Sequence, residues 1–366
     1  MVYGIVSLSV HALQGVLGVQ RRGVGKPPYT LDIKAVAPMQ EPLLVIVGPT
    51  AVGKTALSLP MAQALDAEIV NVDSRQIYKY MDIGTAKPTR AQQAQVVHHL
   101  LDMLLPHQPS NAAQFLTSAR QVLDELRQRG KRVLIVAGSG LYLQALLYGL
   151  MPAPPAYAPL RHVLHAYADR HGTPALHRRL QHVDPVAASA YHPHDRVRLI
   201  RALEVLYLTG EPFSLHRYRH QGQAPLFSYI GVGLTRERTD LYTRITTRTD
   251  AMLAAGWLAE VERLVGWGYT RACTAMNSLG YRELLAYVAG EMGWDETVAA
   301  IKKATCHLAK RQLTWFRKLA HVHWFNLSAM DEQRAVATLV QHLQARLEDR
   351  KGGGSGAQNV DAVVEG

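Results

Sequence analysis

Short apolar runs alternate with stretches of mixed polarity through the first third of this chain. LLVIV (43–47), EIVNV (68–72), HLLDML (99–104) and RVLIVAG (132–138) read as strands, and the segments between them carry a helical pattern. That alternation predicts a parallel α/β sheet flanked by helices. MPAPPAYAP, at 151–159, has four prolines in nine positions and cannot continue a helix, so it marks a border. Beyond it lie only helical patterns, LRHVLHAYADRHG, TPALHRRLQHV and DRVRLIRALEVLYLTG, until FSYIGVGLT (227–235) resumes the sheet. The pattern predicts an all-helical insertion over 157–222 within a core formed by 41–156 and 223–350. Two long helices follow, TDLYTRITTRTDAMLAAG and WDETVAAIKKATCHLAKRQLTWFRKL, then a short strand near HVHWFNL and a closing helix at 331–349.

The two ends differ from this middle. Residues 1–40 read as a disordered extension or a misplaced start, since Met39 stands four residues before the first strand and the basic residues follow the apolar stretch, the wrong order for a secretory signal. Residues 351–366, KGGGSGAQNVDAVVEG, are glycine-rich and read as a flexible tail. A chain of 366 residues holds one large or two moderate domains. No apolar stretch reaches the ~20 residues that span a bilayer, and two cysteines, Cys273 and Cys306, are too few for a zinc site. These features predict a cytoplasmic protein without membrane association.

Charge sharpens the expectation of a partner. The net charge is +11, and residues 156–325 hold 22 Lys and Arg against 14 Asp and Glu, a balance of +8. Such an excess points to a polyanion.

The chemistry starts at GPTAVGKT, Gly48 to Thr55, directly after LLVIV and before TALSLPMAQAL. A strand, a glycine loop and a helix at this spacing form a phosphate-binding loop. Gly48, Pro49, Thr50, Ala51, Val52 and Gly53 turn backbone N–H groups inward, Lys54 adds charge, and Thr55 offers a hydroxyl to Mg2+. One feature runs against the pattern: Pro60 falls inside the helix, where a cost of about 3 kcal/mol or a kink is expected. The next strand ends at Asp73 and Ser74, at the carboxyl edge where open α/β sheets bind ligands. RVLIVAGSG ends without an acid, so Asp73 is the one carboxylate placed near the phosphates, as metal ligand, general base or substrate anchor.

Five ordered motifs, GPTAVGKT, VDSRQIYKYMDIGTAKP, AGSGLYLQALLYGL, NSLGYREL and LAKRQLTWFRK, together resemble the tRNA dimethylallyltransferases over about residues 42–325. The resemblance implies a P-loop NTPase-like fold whose loop holds the diphosphate of dimethylallyl diphosphate, and transfer of the five-carbon group to the exocyclic amine of an adenine beside the tRNA anticodon. It implies Mg2+ as cofactor, Asp73 as the base, and a second cation on the diphosphate from RITTRTDAM, where Arg248 is preferred to Arg244. It places Asp73, Ser74, Arg75 and Gln76, Ser139, Arg161, Val197 to Arg201 (Val197, Arg198, Leu199, Ile200, Arg201), and Asn277 to Arg282 (Asn277, Ser278, Leu279, Gly280, Tyr281, Arg282) on the RNA side of a channel that takes an extruded adenine from the anticodon stem-loop. Lys310, Arg311, Arg317 and Lys318 surround Trp315 and Phe316, a mixture of phosphate-pairing and stacking groups. The chain departs from the family at Ala137 to Gly140, AGSG in place of VGGT, keeping a hydroxyl at Ser139. His98 and His99 are expected to be structural, and the protein a monomer. Two other functions share the loop: a small-molecule kinase, which needs ATP turnover, and a prenyltransferase for free adenine nucleotides.

Overall fold

The computed structural model describes Met39 and residues 41–352. The expectations for residues 1–38 and for the tail beyond 352 lie outside the described residues. Six parallel strands form one sheet, in the order β3-β2-β4-β1-β5-β6: β1 (Leu43–Val47), β2 (Ala67–Val72), β3 (His98–His99), β4 (Arg132–Ala137), β5 (Tyr229–Thr235) and β6 (Val322–Asn326). β1 and β2 are buried along their whole length, as strands covered on both faces are; β1 is apolar throughout, while β2 carries the buried polar residues Glu68 and Asn71. The sheet is crossed by α1 (Lys54–Ala64), α2 (Arg90–Gln95), α3 (Ala112–Gln128) and α4 (Gly140–Tyr148), which supply the long connections that parallel strands need. Because β1 lies between β4 and β5, the loop that leaves it emerges at mid-sheet.

β3 is much shorter than HLLDML suggested. Leu100 and Asp102 adopt positive φ of 64° and 54°, which ends the extended run, and Leu104 touches Tyr78 only as an isolated bridge. The buried Lys87 ammonium gathers this corner, donating to the Tyr78 carbonyl and to the carboxylates of Asp82 and Asp102. Pro60 leaves α1 unbroken: the carbonyl it fails to bond belongs to the exposed Ala56.

The described residues divide into two compact units, 150–224 on the one hand and 41–149 with 225–352 on the other. The first unit contains α5 (Ala158–His171), α6 (Thr173–Val183), α7 (Pro185–Ser189), α8 (Arg196–Thr209) and α9 (Phe213–His220) around a core that includes Leu160, Leu176, Leu199, Ile200 and Leu203. Glu204 is fully buried in it, accepting hydrogen bonds from the Tyr157 amide (2.8 Å), Arg161 (2.8 and 2.9 Å) and Arg201 (2.6 Å). Burial alone would raise its pKa; the hydrogen bonds and the Arg161 charge outweigh that and hold it below 4.5. Since the folded value is depressed, this carboxylate stabilises the unit above pH 4.5, and the contribution drains away as pH falls through the lower folded value. Glu204→Ala, which strands two arginines and an amide, is expected to cost about 3 kcal/mol in urea unfolding of the full chain.

The second unit continues through α10 (Arg238–Ala254), α11 (Trp257–Gly266), α12 (Tyr281–Val288), α13 (Trp294–Phe316) and α14 (Glu332–Gly352). α11 and α12 escaped the sequence pattern. α14 lays Leu339, Leu343 and Leu347 into the main core with α1 and β5.

Candidate active site

The loop after β1 and the start of α1 wall one side of a cavity of about 350 Å3 that Asp73 and Arg248 also line. Gly48 has no room for a side chain: a Cβ there would stand 2.7 Å from the Leu234 carbonyl oxygen. Gly53 turns at φ 119°, and Ala51 also takes a left-handed φ of 64°. α1 then begins at Lys54, leaving its first-turn amides without intrahelical acceptors and the positive end of its dipole toward the cavity. Lys54 Nζ donates to the carbonyls of Gly48 (2.6 Å) and Pro49 (2.8 Å). Lys54 is half-buried and lines the cavity. Burial, then the Arg248 charge, bring its pKa down to about 7, with Asp73 opposing.

Two arginines of α10 reach the loop. Arg244 Nε donates to the Ala51 carbonyl at 3.0 Å, and Arg248 Nη1 to the Thr50 hydroxyl at 3.4 Å. Burial draws the Arg248 value down, with Asp73 opposing and Arg244 reinforcing. Both residues line the cavity, so the geometry joins Arg244 to the preferred Arg248.

Asp73 is shaped by its own turn. Its Oδ1 accepts from the amides of Arg75 (2.7 Å) and Gln76 (3.4 Å), while Oδ2 faces Gly138, where a Cβ would stand only 2.1 Å away. Gly138 is the glycine of AGSG that the chain retains, and its missing side chain is the space the carboxylate fills. Gly138→Ala is expected to push Asp73 aside and lower kcat by about 10²-fold while leaving the KM for the diphosphate donor nearly unchanged. Separate titrations of the two substrates check it.

The wall beside Asp73 is tied down by a residue that no sequence signal announced. Glu260 of α11 is 1% exposed; its carboxylate accepts from the consecutive amides of Asp82 (2.9 Å), Ile83 (2.8 Å) and Gly84 (3.3 Å) and from the Tyr281 hydroxyl (2.6 Å). Gln76 in turn donates to the carbonyls of Thr85 and Ala86, closing the segment on itself. Gln312 is the other addition. It stands inside the quoted LAKRQLTWFRK, yet its role emerges only from its contacts with Thr50 and Gly138.

Burial divides the residues expected on the RNA side. Leu199 and Ile200 are in the helical unit's own core, and Ser278, Gly280 and Tyr281 are buried in the second unit, Tyr281 on Glu260, so none of these presents a side chain to RNA. Arg161 and Arg201 are engaged by Glu204, Arg198 pairs with Asp195, and Val197 is 78% exposed. Arg75, Asn277 and Arg282 are exposed; Ser74, Ser139 and Leu279 are half-buried. Trp315 packs over Gly140 and meets Phe316 edge-on, and Phe316 is fully buried, so these rings are committed within the fold. His99 binds Glu68 at 2.6 Å, a structural role; His98 bonds the Val96 carbonyl and also lines the cavity.

Among the described residues, no group of three His, Cys, Asp or Glu side chains is arranged to hold a metal ion. The donor set at the loop, the Thr55 hydroxyl with Asp73 as the one carboxylate lining the cavity, suits a cation carried largely by phosphate oxygens and water, as Mg2+ is. No described helix is long and apolar enough to cross a membrane.

A model of the IPP transferase family matches residues 76–319, and one of isopentenyl transferases matches 41–104. The chain is 44% identical to tRNA dimethylallyltransferase 2 of Geotalea uraniireducens, over 82% of this chain and 96% of that one. It is 44% identical to tRNA dimethylallyltransferase 1 of Pelobacter propionicus, over 84% and 97%. The solved tRNA isopentenylpyrophosphate transferase of Bacillus halodurans superposes with a TM-score of 0.63 at 36% identity, covering 85% of this chain and 98% of its own. Matched over 82–85% of its length by these relatives, with a phosphate loop and one acid facing the same cavity, this chain belongs to the IPP transferase family.

Proposed function

We propose that this protein is a tRNA dimethylallyltransferase: it moves the dimethylallyl group of dimethylallyl diphosphate to N6 of adenine 37, next to the anticodon, giving N6-(dimethylallyl)adenosine and diphosphate. The observation that carries the proposal is the placement of Asp73 across one cavity from Lys54, Arg248 and the free amides of α1. The names of the relatives support it.

The allylic C–O bond breaks as positive charge grows on carbon and negative charge on the leaving diphosphate. Lys54, Arg248 and Arg244, with the amides from Gly53 onward, are aimed at that departing charge, and such preorganised donors usually supply the largest share of the rate. Thr55 would hold Mg2+ at the loop, and the ion would supply further charge neutralisation to the leaving diphosphate. The adenine amine is a weak nucleophile because its lone pair is delocalised into the ring. Asp73 Oδ2, the oxygen not engaged by its own turn, takes the amine proton as the N–C bond forms. Reaching this carboxylate requires the base to leave its stack. Ser74, Arg75, Asn277 and Arg282 in the core, and Arg161, Val197, Arg198 and Arg201 in the helical unit, are assigned to the tRNA anticodon stem-loop. The enzyme acts as a cytoplasmic monomer in this reading.

The test is incubation of purified protein with unmodified tRNA, Mg2+ and dimethylallyl diphosphate, followed by nucleoside mass spectrometry. Prenylated adenosine in tRNA is expected, with AMP a poor acceptor. Brisk ATP hydrolysis with the isoprenoid donor untouched would overturn the proposal.

A further inference from the structure

We propose that Gln312 limits the phosphate loop to two phosphates, a specificity determinant against nucleoside triphosphates. The inference rests on the loop's assignment to a diphosphate and adds what keeps a longer anion out. A loop of this spacing ordinarily takes the phosphates of ATP or GTP along its successive amides, with the lysine reaching the terminal groups. Here the amides are divided. Those opening α1, at Lys54, Thr55 and Ala56, lack acceptors within the helix and face the cavity. Upstream, the Val52 amide is turned to the Pro49 carbonyl at 3.4 Å, and the Thr50 amide donates to Gln312 Oε1 at 2.8 Å. An anion reaching past the first turn of α1 toward Thr50 therefore meets the negative end of a carboxamide dipole instead of an open N–H.

The carboxamide is fixed in that sense. Gln312 Nε2 donates to the Gly138 carbonyl at 2.8 Å, so flipping the amide would set donor against donor at Thr50 and acceptor against acceptor at Gly138. Gln312 lines the cavity from α13, and Arg248 holds the Thr50 hydroxyl from α10, so Thr50 is engaged through both its backbone and its side chain. A second observation agrees. Triphosphate-using loops rely on an acid that helps to hold Mg2+ near the terminal phosphate. β4, beside the loop strand, ends at Ala137 and is followed by Gly138 and Ser139 with no carboxylate, and the cavity's one acid, Asp73, comes from the end of β2 with Oδ1 engaged by its own turn.

Calorimetric titration of the full chain with inorganic pyrophosphate and with tripolyphosphate, each with Mg2+, tests the proposal. Wild type should prefer pyrophosphate. Gln312→Ala frees the Thr50 amide and should bring tripolyphosphate about tenfold closer, the worth of one regained charge-assisted hydrogen bond, with pyrophosphate little changed. Gln312→Glu keeps an acceptor for the Thr50 amide and the side-chain volume, gives up the bond to the Gly138 carbonyl, adds negative charge, and should hold tripolyphosphate weaker still, which covers the case of an alanine variant that unfolds. Equal binding of both anions by wild type, or the same ratio in every variant, overturns the proposal while leaving the diphosphate reading intact. Binding of neither anion overturns both.

Discussion

Asp73→Asn is expected to lower the single-turnover rate of prenyl transfer by about 10²–10⁴-fold, the usual worth of a positioned general base. The substitution is chosen for what it leaves in place. Asparagine keeps an Oδ1 that accepts from the Arg75 and Gln76 amides, so the turn that carries Ser74 and Arg75 survives, and with it tRNA binding. The amide group fits the space above Gly138 that the carboxylate occupied. What is lost is the proton acceptor and one negative charge close to Lys54 and Arg248. Removing that charge strengthens the local positive field, so diphosphate should bind as well or better while turnover collapses. This split separates a base from a metal ligand or a substrate anchor, both of which would weaken binding along with rate. Nucleoside mass spectrometry measures the rate, calorimetric titration with pyrophosphate the diphosphate affinity, and filter binding the retained tRNA affinity; a normal rate in the variant removes Asp73 from the base's role.

The parts of this architecture that could be seen in the sequence are those set by local rules. Mainly apolar runs without a strict polar alternation marked β1, β2 and β4, and four prolines marked the border before the helical unit. The phosphate loop announced itself because a glycine that cannot carry a Cβ, a lysine and a threonine must fall at fixed spacing on a strand-loop-helix corner. Long-range partners left no such trace. Glu260 is one glutamate among many until the fold sets it under three consecutive amides some 180 residues earlier in the chain. Gln312 lies in an ordinary amphipathic stretch, and only the meeting of α13 with the loops after β1 and β4 gives its carboxamide a task. Burial misled in the opposite direction. Motifs such as NSLGYR and VRLIR mix exposed and core positions, and the residues that bear a motif are not all residues that touch a ligand, as Tyr281 and Leu199 show by lying fully buried.

Lys54→Ala is expected to reduce turnover by about 10²–10³-fold, the cost of deleting one preorganised donor to a developing anion. It should also abolish the pH dependence expected of the wild-type loop. In the empty site, burial and the neighbouring Arg248 charge bring the Lys54 ammonium to about 7, Asp73 opposing. A bound diphosphate favours the charged form, so binding at alkaline pH draws one proton from solution. Below pH 7 the residue is protonated with or without ligand and contributes no slope. Above it, pyrophosphate affinity should fall about tenfold per pH unit until the pKa of the liganded state is reached. Folding stability responds with the opposite sign. Between about 7 and the ordinary lysine value of 10.5, the unfolded chain holds a proton that the empty native site lacks, so this residue's contribution to stability rises with pH across that window. Below 7 both states are charged and the full penalty of burying the ammonium is present. Calorimetry at alkaline pH in buffers of different ionisation enthalpy counts the proton directly: one taken up per pyrophosphate in wild type, none assignable to this position in Lys54→Ala. Equal proton counts in the two proteins would mean that Lys54 is already charged in the empty cleft, and the diphosphate would then meet a finished cation instead of completing one.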